Sequence, residues 1–260
     1  MRAHAEAWTF VLATDLDGTF LGGTDGDRRQ LYDWIGKHRA SVGLIFVTGR
    51  DPKFIEGMCG DGFVPWPDFV VGDVGTTIAK MAPVGPGGEV RPMMELEEAI
   101  AEAWGDAGDK VRERLDGWPG LTLQPEPHRF RVSYDLDPKA FDEDAKGAVE
   151  EMGLDWLVSD DRFFDVLPRG VSKGPSLLRL TRRLGITDDR VLVAGDTLND
   201  LSMLSQDAFR AVAVGNSEAE LLARLPDSER VLKAEGEGAA GIMDAISHFG
   251  LHDPAPRGIL

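Results

Sequence analysis

Four short apolar runs stand out along the chain: "WTFVLATD" (8–15), "SVGLIFVTG" (41–49), "DFVVGDVG" (68–75) and "RVLVAGD" (190–196). Each is rich in β-branched or aromatic residues and bounded by turn formers. That pattern predicts strands buried on both faces. The segments between them switch to helical spacing. "DRRQLYDWIGKHRA" puts Leu31, Trp34 and Ile35 on one face, and "DPKFIEGMCGDG" reads as a helix with a glycine stop. "SKGPSLLRLTRRLG" (172–185) turns Leu177, Leu178, Leu180 and Leu184 inward and its arginines outward. "SEAELLARL" and "GIMDAISHFG" predict two more helices near the C-terminus. Strands alternating with amphipathic helices imply an α/β fold, doubly wound around a mostly parallel, Rossmann-like sheet.

The middle of the chain breaks this alternation. "APVGPGGEVRP" (82–92) shifts to Gly and Pro and reads as a hinge. Beyond it the pattern predicts a helix over 95–115, a strand "HRFRVSYDL" (128–136), a helix over 138–152 and short strands in "DWLVSD" and "FFDVLP". This is an α+β pattern, as of a smaller domain inserted into a larger one. The expected division is a core of residues 1–84 and 169–260 and an insert of 85–168. In "HRFRVSY", Phe130, Val132 and Tyr134 share one face and Arg131 and Ser133 the other, with Gln124 and Glu126 just before. If the apolar face packs on the insert's helices, Arg131 and Ser133 face the core. "HDPAPRGIL" reads as an extended terminus or linker.

Composition narrows the classes. The 260 residues suffice for one large domain or two modest ones, and 42% hydrophobic with 28% charged residues is ordinary for a globular protein. No apolar run approaches the roughly 18 residues of a membrane helix, and no signal-peptide core precedes residue 15, so a cytoplasmic protein is expected. A net charge of −17 argues against nucleic acid or an anionic membrane as partner. An anionic substrate would need locally concentrated positive charge or a metal ion. The single cysteine, Cys59, excludes an internal disulfide and is expected to be buried and inert.

The chemistry gathers where strands end. In open α/β sheets, ligands bind beyond the carboxyl ends of the strands. The first run ends in Asp15-Leu16-Asp17, and side chains two apart on a strand point the same way, so two carboxylates are expected on one side. The second ends in Thr48-Gly49-Arg50. The fourth ends in Gly195-Asp196-Thr197, with Asn199 and Asp200 just beyond. Lys173 opens a helix, and Gly174 beside it permits close backbone approach. Clustered carboxylates without His or Cys suit a hard cation, Mg²⁺ first. Thr48-Gly49 offers a hydroxyl and N–H groups to an anion, and Lys173 supplies compensating charge. The set suits a phosphoryl group beside Mg²⁺, facing a carboxylate. Singly, each motif is an ordinary cap, turn or helix start. Their occurrence in one chain, each at the end of an expected element, outweighs that reading.

"DLDGT", "VTGR", "SKG" and "GDTLND" resemble the four motifs of the haloacid dehalogenase-like hydrolases, mostly Mg²⁺-dependent phosphatases. The insert resembles their type 2B cap. "RVSYDLDP", "FDVLPRGVSKG" and "AGIMDAISHFGL" resemble the sucrose-phosphate phosphatase group. The resemblance implies that Asp15 is the nucleophile, forming an aspartyl-phosphate, and that Asp17 protonates the leaving alcohol and then deprotonates water. It implies that Thr48, Lys173 and the Gly49 backbone hold phosphoryl oxygens. Asp15, the Asp17 carbonyl and Asp196 would bind Mg²⁺, with Asn199 and Asp200 orienting Lys173 and the metal's waters. Arg50 would contact substrate or form a salt bridge at a helix start. The cap would choose the substrate, with Trp104, Trp118, Glu126, Arg131 and Ser133 as candidate sugar contacts, unless the two tryptophans belong to the cap's core.

The implied activity is hydrolysis of the phosphate monoester of a small glycosyl compound. Glucosylglycerol 3-phosphate is favoured, because "LATDLDGTFLGG", "DRRQLYDWI" and "FVTGRD" resemble the phosphatase portions of glucosylglycerol-phosphate synthase–phosphatase proteins. Sucrose 6-phosphate and mannosylfructose phosphate are the alternatives, and all three lead to compatible solutes. A glycosyl-phosphate synthase, in the same chain or the same pathway, is the implied partner. Two readings come from other classes. A phosphosugar mutase would need a second anion site in the cap, for which Arg112, Arg114, Arg129, Arg131 and Arg162 are available. An inactive domain regulating a glycosyltransferase should have lost motif residues, yet Asp15, Asp17, Lys173, Asp196 and Asp200 are all present.

Overall fold

The computed structural model describes residues 7–82, 89–159 and 161–256. Its strands are β1 (Phe10–Thr14), β2 (Val42–Val47), β3 (Phe69–Gly72), β4 (Thr77–Ala82), β5 (Glu89–Pro92), β6 (Leu121–Leu123), β7 (Val132–Leu136), β8 (Asp155–Ser159), β9 (Phe163–Leu167), β10 (Val191–Gly195), β11 (Arg210–Ala213) and β12 (Val231–Lys233). An eight-stranded sheet runs β12-β11-β10-β1-β2-β3-β4-β5, and a four-stranded sheet runs β6-β7-β9-β8. The large sheet is parallel from β12 to β3, with β4 and β5 added antiparallel at one edge. The small sheet is antiparallel.

The central strands are apolar throughout because both faces are covered. Alternate residues point to opposite faces. Val11, Ala13, Ile45 and Val47 pack against Leu177, Leu180 and Leu184 of the helix Lys173–Leu184. Phe10, Leu12, Leu44 and Phe46 pack on the other side against Leu31 and Ile35 of the helix Asp25–His38 and Ile242 and Ile246 of the helix Ala239–His248. Each such leucine or isoleucine contributes about 1.5–3 kcal/mol by leaving water. The small sheet has its own core, where Val132, Tyr134, Phe164 and Val166 meet Val111 and Leu115 of one helix and Ala148 and Val149 of another. Ser133 and Asp165, paired across β7 and β9, fall on the opposite face. Among the described residues, no helix is long and apolar enough to cross a membrane.

Several expectations need correction. Residues 89–92 form β5 and pair with β4, so the chain is still in the large sheet at residue 92 rather than leaving it at 85. The Gly–Pro stretch itself, residues 83–88, lies outside the described residues. The helix expected over 95–115 is two helices, Met94–Trp104 and Ala107–Leu115, parted at Gly105-Asp106. Strand β7 starts at Val132, four residues later than expected. Residues 252–256 dock rather than trail away: Trp34 Nε1 donates to Pro254 O at 3.1 Å and Gln30 Nε2 to Pro256 O at 3.0 Å.

The turn between β3 and β4 seats the helix Lys173–Leu184. Asp73, Val74 and Gly75 all have positive φ, at 51°, 58° and 99°. A Cβ at Gly75 would lie 2.4 Å from the Ser172 carbonyl carbon and 2.9 Å from Lys173 N. Ser176 Oγ, in the first turn of that helix, donates to Gly75 O at 2.6 Å. Gly75→Ala is therefore expected to cost about 1–3 kcal/mol through backbone strain. Thermal melting against the unaltered protein checks this.

Candidate active site

Parallel pairing of β1 with β10 and β2 brings the segments after Thr14, Gly195 and Val47 to one edge of the sheet. Asp15 continues the ladder for one bond, its N–H donating to Ala194 O at 2.9 Å. The chain then turns tightly through Leu16–Phe20, with Asp17 extended and Gly18 at φ +79°. A Cβ at Gly18 would sit 2.1 Å from Asp196 Oδ2, so the turn can lie against Asp196 only with glycine there.

The strand ends at Thr14, so period-two geometry does not carry through to Asp17. The two carboxylates part, contrary to the sequence expectation. Asp15 turns inward and is 6% exposed, with Oδ1 accepting from Lys173 Nζ at 2.7 Å. Asp17 turns outward, its side chain 56% exposed, and is gripped by Arg50. Arg50 thus forms the salt bridge at the start of the helix Pro52–Gly60.

Lys173 is fully buried and donates to Asp15 Oδ1 at 2.7 Å, Asn199 Oδ1 at 2.6 Å and Asp200 Oδ1 at 2.6 Å. The three donors of its ammonium are all used. Burial works against its charge, but Asp15 and Asp200 outweigh that and raise its pKa above the ordinary lysine value. Asp200 Oδ2 accepts from the N–H groups of Asp196 and Thr197 at 3.0 and 3.1 Å. Asp196 accepts from Thr19 Oγ1 at 2.6 Å on one oxygen and from Asn216 Nδ2 at 3.3 Å on the other.

Asp15, Asp196 and Asp200 are all buried and offer oxygens within 4.8 Å of one another. Burial raises Asp15 well above the usual carboxylate range, Lys173 opposes it, and Asp200 and Asp196 add to it. Burial pushes Asp196 up to about 7, with the Thr19 hydrogen bond opposing and Asp200 reinforcing. Three buried carboxylates against one ammonium leave negative charge that a divalent cation would balance. An all-oxygen donor set fits a hard ion.

Thr48 is buried beside this cluster, its N–H donating to Val71 O at 2.9 Å and its hydroxyl accepting from Arg50 N at 3.2 Å. Arg131 reaches across from the small sheet: Nη2 donates to Gly49 O at 3.1 Å and approaches Asp73 Oδ1 at 3.5 Å. Ser133 Oγ donates to Asp165, which Arg131 Nη1 also approaches at 3.5 Å. The other arginines weighed for a second anion site have contacts of their own. Arg112 pairs with Asp109, Arg114 with Glu151 and Arg129 with Glu97, while Arg162 covers Phe163.

The family model for sucrose-6F-phosphate phosphohydrolase matches residues 8–250. The chain belongs to that family. It is 40% identical over 92% of its length to the glucosylglycerol-phosphate synthase of Pseudomonas anguilliseptica, but spans only 31% of that protein. It is 29% identical to the mannosylfructose-phosphate phosphatase of Agrobacterium fabrum, covering 93% of this chain and 97% of the other. The sucrose-phosphatase of Synechocystis sp. PCC6803, solved with sucrose and phosphate, superposes with a TM-score of 0.81 at 25% identity over 94% of this chain and 98% of that one. The resemblance carried by the four motifs therefore holds. This sucrose-6F-phosphate phosphohydrolase family member is a phosphoric monoester hydrolase of the haloacid dehalogenase-like fold.

Within this family member, Asp15, Lys173, Asp196, Asn199 and Asp200 come together, with Thr48, Gly49, Arg50 and Asp17 along one side. Trp104 does not join them. It is buried in the small sheet's core with Val111 and Leu115, at the end of a helix whose Leu96 and Ile100 pack in the large sheet's core. Trp118 packs on the same core and donates to Asp142 O at 3.1 Å. Glu126 is exposed on the loop before β7. Three further polar residues are hard to single out in the sequence. Thr19 lay inside "DLDGT", Asn216 follows β11, and Asp165 is the one charge in the apolar run "FFDVLP".

Proposed function

We propose that this phosphatase hydrolyses the phosphate monoester of a small glycosyl compound through an aspartyl-phosphate on Asp15, with Mg²⁺ as its metal and glucosylglycerol 3-phosphate as its substrate. The observation that carries the mechanism is the buried Asp15 carboxylate, fixed by Lys173 and flanked by Asp196 and Asp200 at the carboxyl end of the sheet. An Asp15 oxygen attacks phosphorus, and the P–O bond to the alcohol breaks. Asp17 gives its proton to the departing oxygen. In the second half, water attacks the aspartyl-phosphate and Asp17 takes the proton back, freeing phosphate and restoring Asp15. The Thr48 hydroxyl and the Gly49 N–H are the donors for phosphoryl oxygens, and an oxygen reaching Lys173 displaces one of its three acceptors. Asp15, the Asp17 carbonyl and Asp196 would hold the cation, with Asp200 behind them, its oxygens turned to Lys173 and to the N–H groups of Asp196 and Thr197. The ion, when bound, offsets repulsion between the carboxylate and the phosphate dianion.

The large sheet with its helices is read as the catalytic core, and the small sheet as a cap choosing the alcohol through Arg131, Ser133 and Asp165. The substrate choice is supported by the 40% identity to a protein named for glucosylglycerol phosphate, against 29% to the mannosylfructose-phosphate phosphatase. A synthase making the same glycosyl phosphate is then the partner in the pathway. The mutase reading is disfavoured because four of the five arginines each contact a different partner, Asp109, Glu151, Glu97 and the Phe163 ring, in contacts that do not include Arg131.

A phosphate-release panel tests this. It compares glucosylglycerol 3-phosphate, sucrose 6-phosphate, mannosylfructose phosphate, glucose 6-phosphate and mannose 1-phosphate, with Mg²⁺ and after chelation. Glucosylglycerol 3-phosphate is expected to lead in kcat/KM by about tenfold or more, the range that pocket contacts supply. Chelation is expected to abolish release, and Mg²⁺ to restore it. A lead for another ester overturns the substrate. Isomerisation of mannose 1-phosphate without phosphate release overturns the hydrolase mechanism.

A further inference from the structure

Arg50 grips Asp17 with two prongs, Nε to Oδ2 and Nη2 to Oδ1, each at 2.7 Å. Its guanidinium carbon lies 4.1 Å from the centroid of the Phe54 ring. That ring is among the few large apolar side chains left exposed. The guanidinium is therefore held between a carboxylate and an aromatic face. The Arg50 backbone is pinned as well, its N–H to Thr48 Oγ1 at 3.2 Å and its carbonyl from Asp73 N at 3.1 Å. Beside it, Gly49 O is held from the small sheet by Arg131.

Stability does not explain this arrangement. With side chains 40% and 56% exposed, the ion pair is worth about 0–1 kcal/mol. An exposed phenyl ring gains nothing by facing water. What the arrangement does supply is direction. A planar two-pronged contact fixes both the position and the rotation of a carboxylate, which a point charge does not. The aromatic face restricts the guanidinium in turn. Lys173, the buried cation of the site, is already filled by Asp15, Asn199 and Asp200. Arg50 gives Asp17 a separate partner and keeps its side chain clear of that cluster.

We propose that Arg50, propped on Phe54, is a positioning residue that aims the Asp17 carboxyl at the leaving oxygen, serving proton transfer and not phosphoryl recognition. The proposal rests on the phosphatase mechanism above. As the Asp15–phosphorus bond forms, the electron pair of the breaking P–O bond goes to the alcohol oxygen. That oxygen takes the proton from one Asp17 oxygen while the other stays on Arg50.

The test exploits the leaving group. An alcohol needs a proton as it departs, whereas 4-nitrophenolate does not. Values of kcat/KM, which report the first half of the reaction, are measured for the best glycosyl phosphate of the panel and for 4-nitrophenyl phosphate. The ratio of the two cancels any loss of folded enzyme. In Arg50→Met the glycosyl-to-nitrophenyl ratio is expected to fall about 10–100-fold, part of the roughly 10²–10⁴-fold that acid–base catalysis supplies. Arg50→Lys should not rescue it, and Phe54→Ala should lower it by about threefold. In an Asp17→Asn background, Arg50→Met should lower the ratio no further. An unchanged ratio in Arg50→Met overturns the proposal, whether both esters lose equally or neither does. So does an additive loss in the double variant. Wild-type enzyme inert towards both esters instead overturns the phosphatase mechanism, and this inference with it.

Discussion

Asp15→Asn is expected to release no phosphate above background, a loss on the order of 10⁴-fold or more, while the protein stays folded. The two halves of this prediction come from the same contacts. Asparagine has the shape of aspartate and keeps an oxygen that Lys173 Nζ can reach, so the bond now at 2.7 Å can persist. What disappears is the anionic nucleophile. Asp196 and Asp200 do not replace it: the first is held by Thr19 and Asn216, and the second is turned to Lys173 and two backbone N–H groups. Stability should change by no more than about 1–2 kcal/mol. The variant loses an ion pair with Lys173, but it also removes one of three crowded, buried carboxylates. Phosphate release and thermal melting on one sample separate the effects. An Asp15→Asn enzyme retaining about 1% of activity or more, against the loss that removal of a nucleophile brings, would mean that another group attacks phosphorus.

The parts of this molecule that could be read from its sequence are those written in one period. β1, β2 and β10 are unbroken apolar runs, and the helix Lys173–Leu184 is a clean stripe. Most of the strands not legible in the sequence are short and compositionally mixed, the six-residue β4 excepted. β11 is Arg-Ala-Val-Ala and β12 is Val-Leu-Lys, and each is a strand only because a neighbour pairs with it. The carboxylate pair shows how sharp the limit is. One residue decides it, since β1 stops at Thr14 and Asp17 enters a turn. Arg50 and Asp17 are 33 positions apart and meet only because β1 and β2 are neighbours. Trp104 is legible only in part: its spacing from Leu96 and Ile100 marks it as buried, but not that those two pack on the large sheet while Trp104 packs in the small sheet's core.

Lys173→Met is expected to abolish turnover as well, but with the opposite effect on the fold. Methionine fills much of the same space without the charge. Asp15 and Asp200 then lose their cation inside the protein, and Asn199 loses its donor. Leaving a buried charge without its partner costs about 3–5 kcal/mol, a large share of the roughly 5–15 kcal/mol that holds a domain together. Urea unfolding should show a lower midpoint with an unchanged slope, the sign of lost stability without a change in exposed surface. Two further measurements tie the loss to the carboxylates. Adding Asp15→Asn to Lys173→Met should recover part of the stability, because one fewer anion is left unpaired. Mg²⁺ should recover part as well, by about 2.7 kcal/mol at a hundred times its dissociation constant. Equal destabilisation in the single and double variants, unmoved by Mg²⁺, would mean that Lys173 matters for packing and not for charge. That outcome would remove the electrostatic basis for placing the phosphoryl site between Lys173 and the three aspartates.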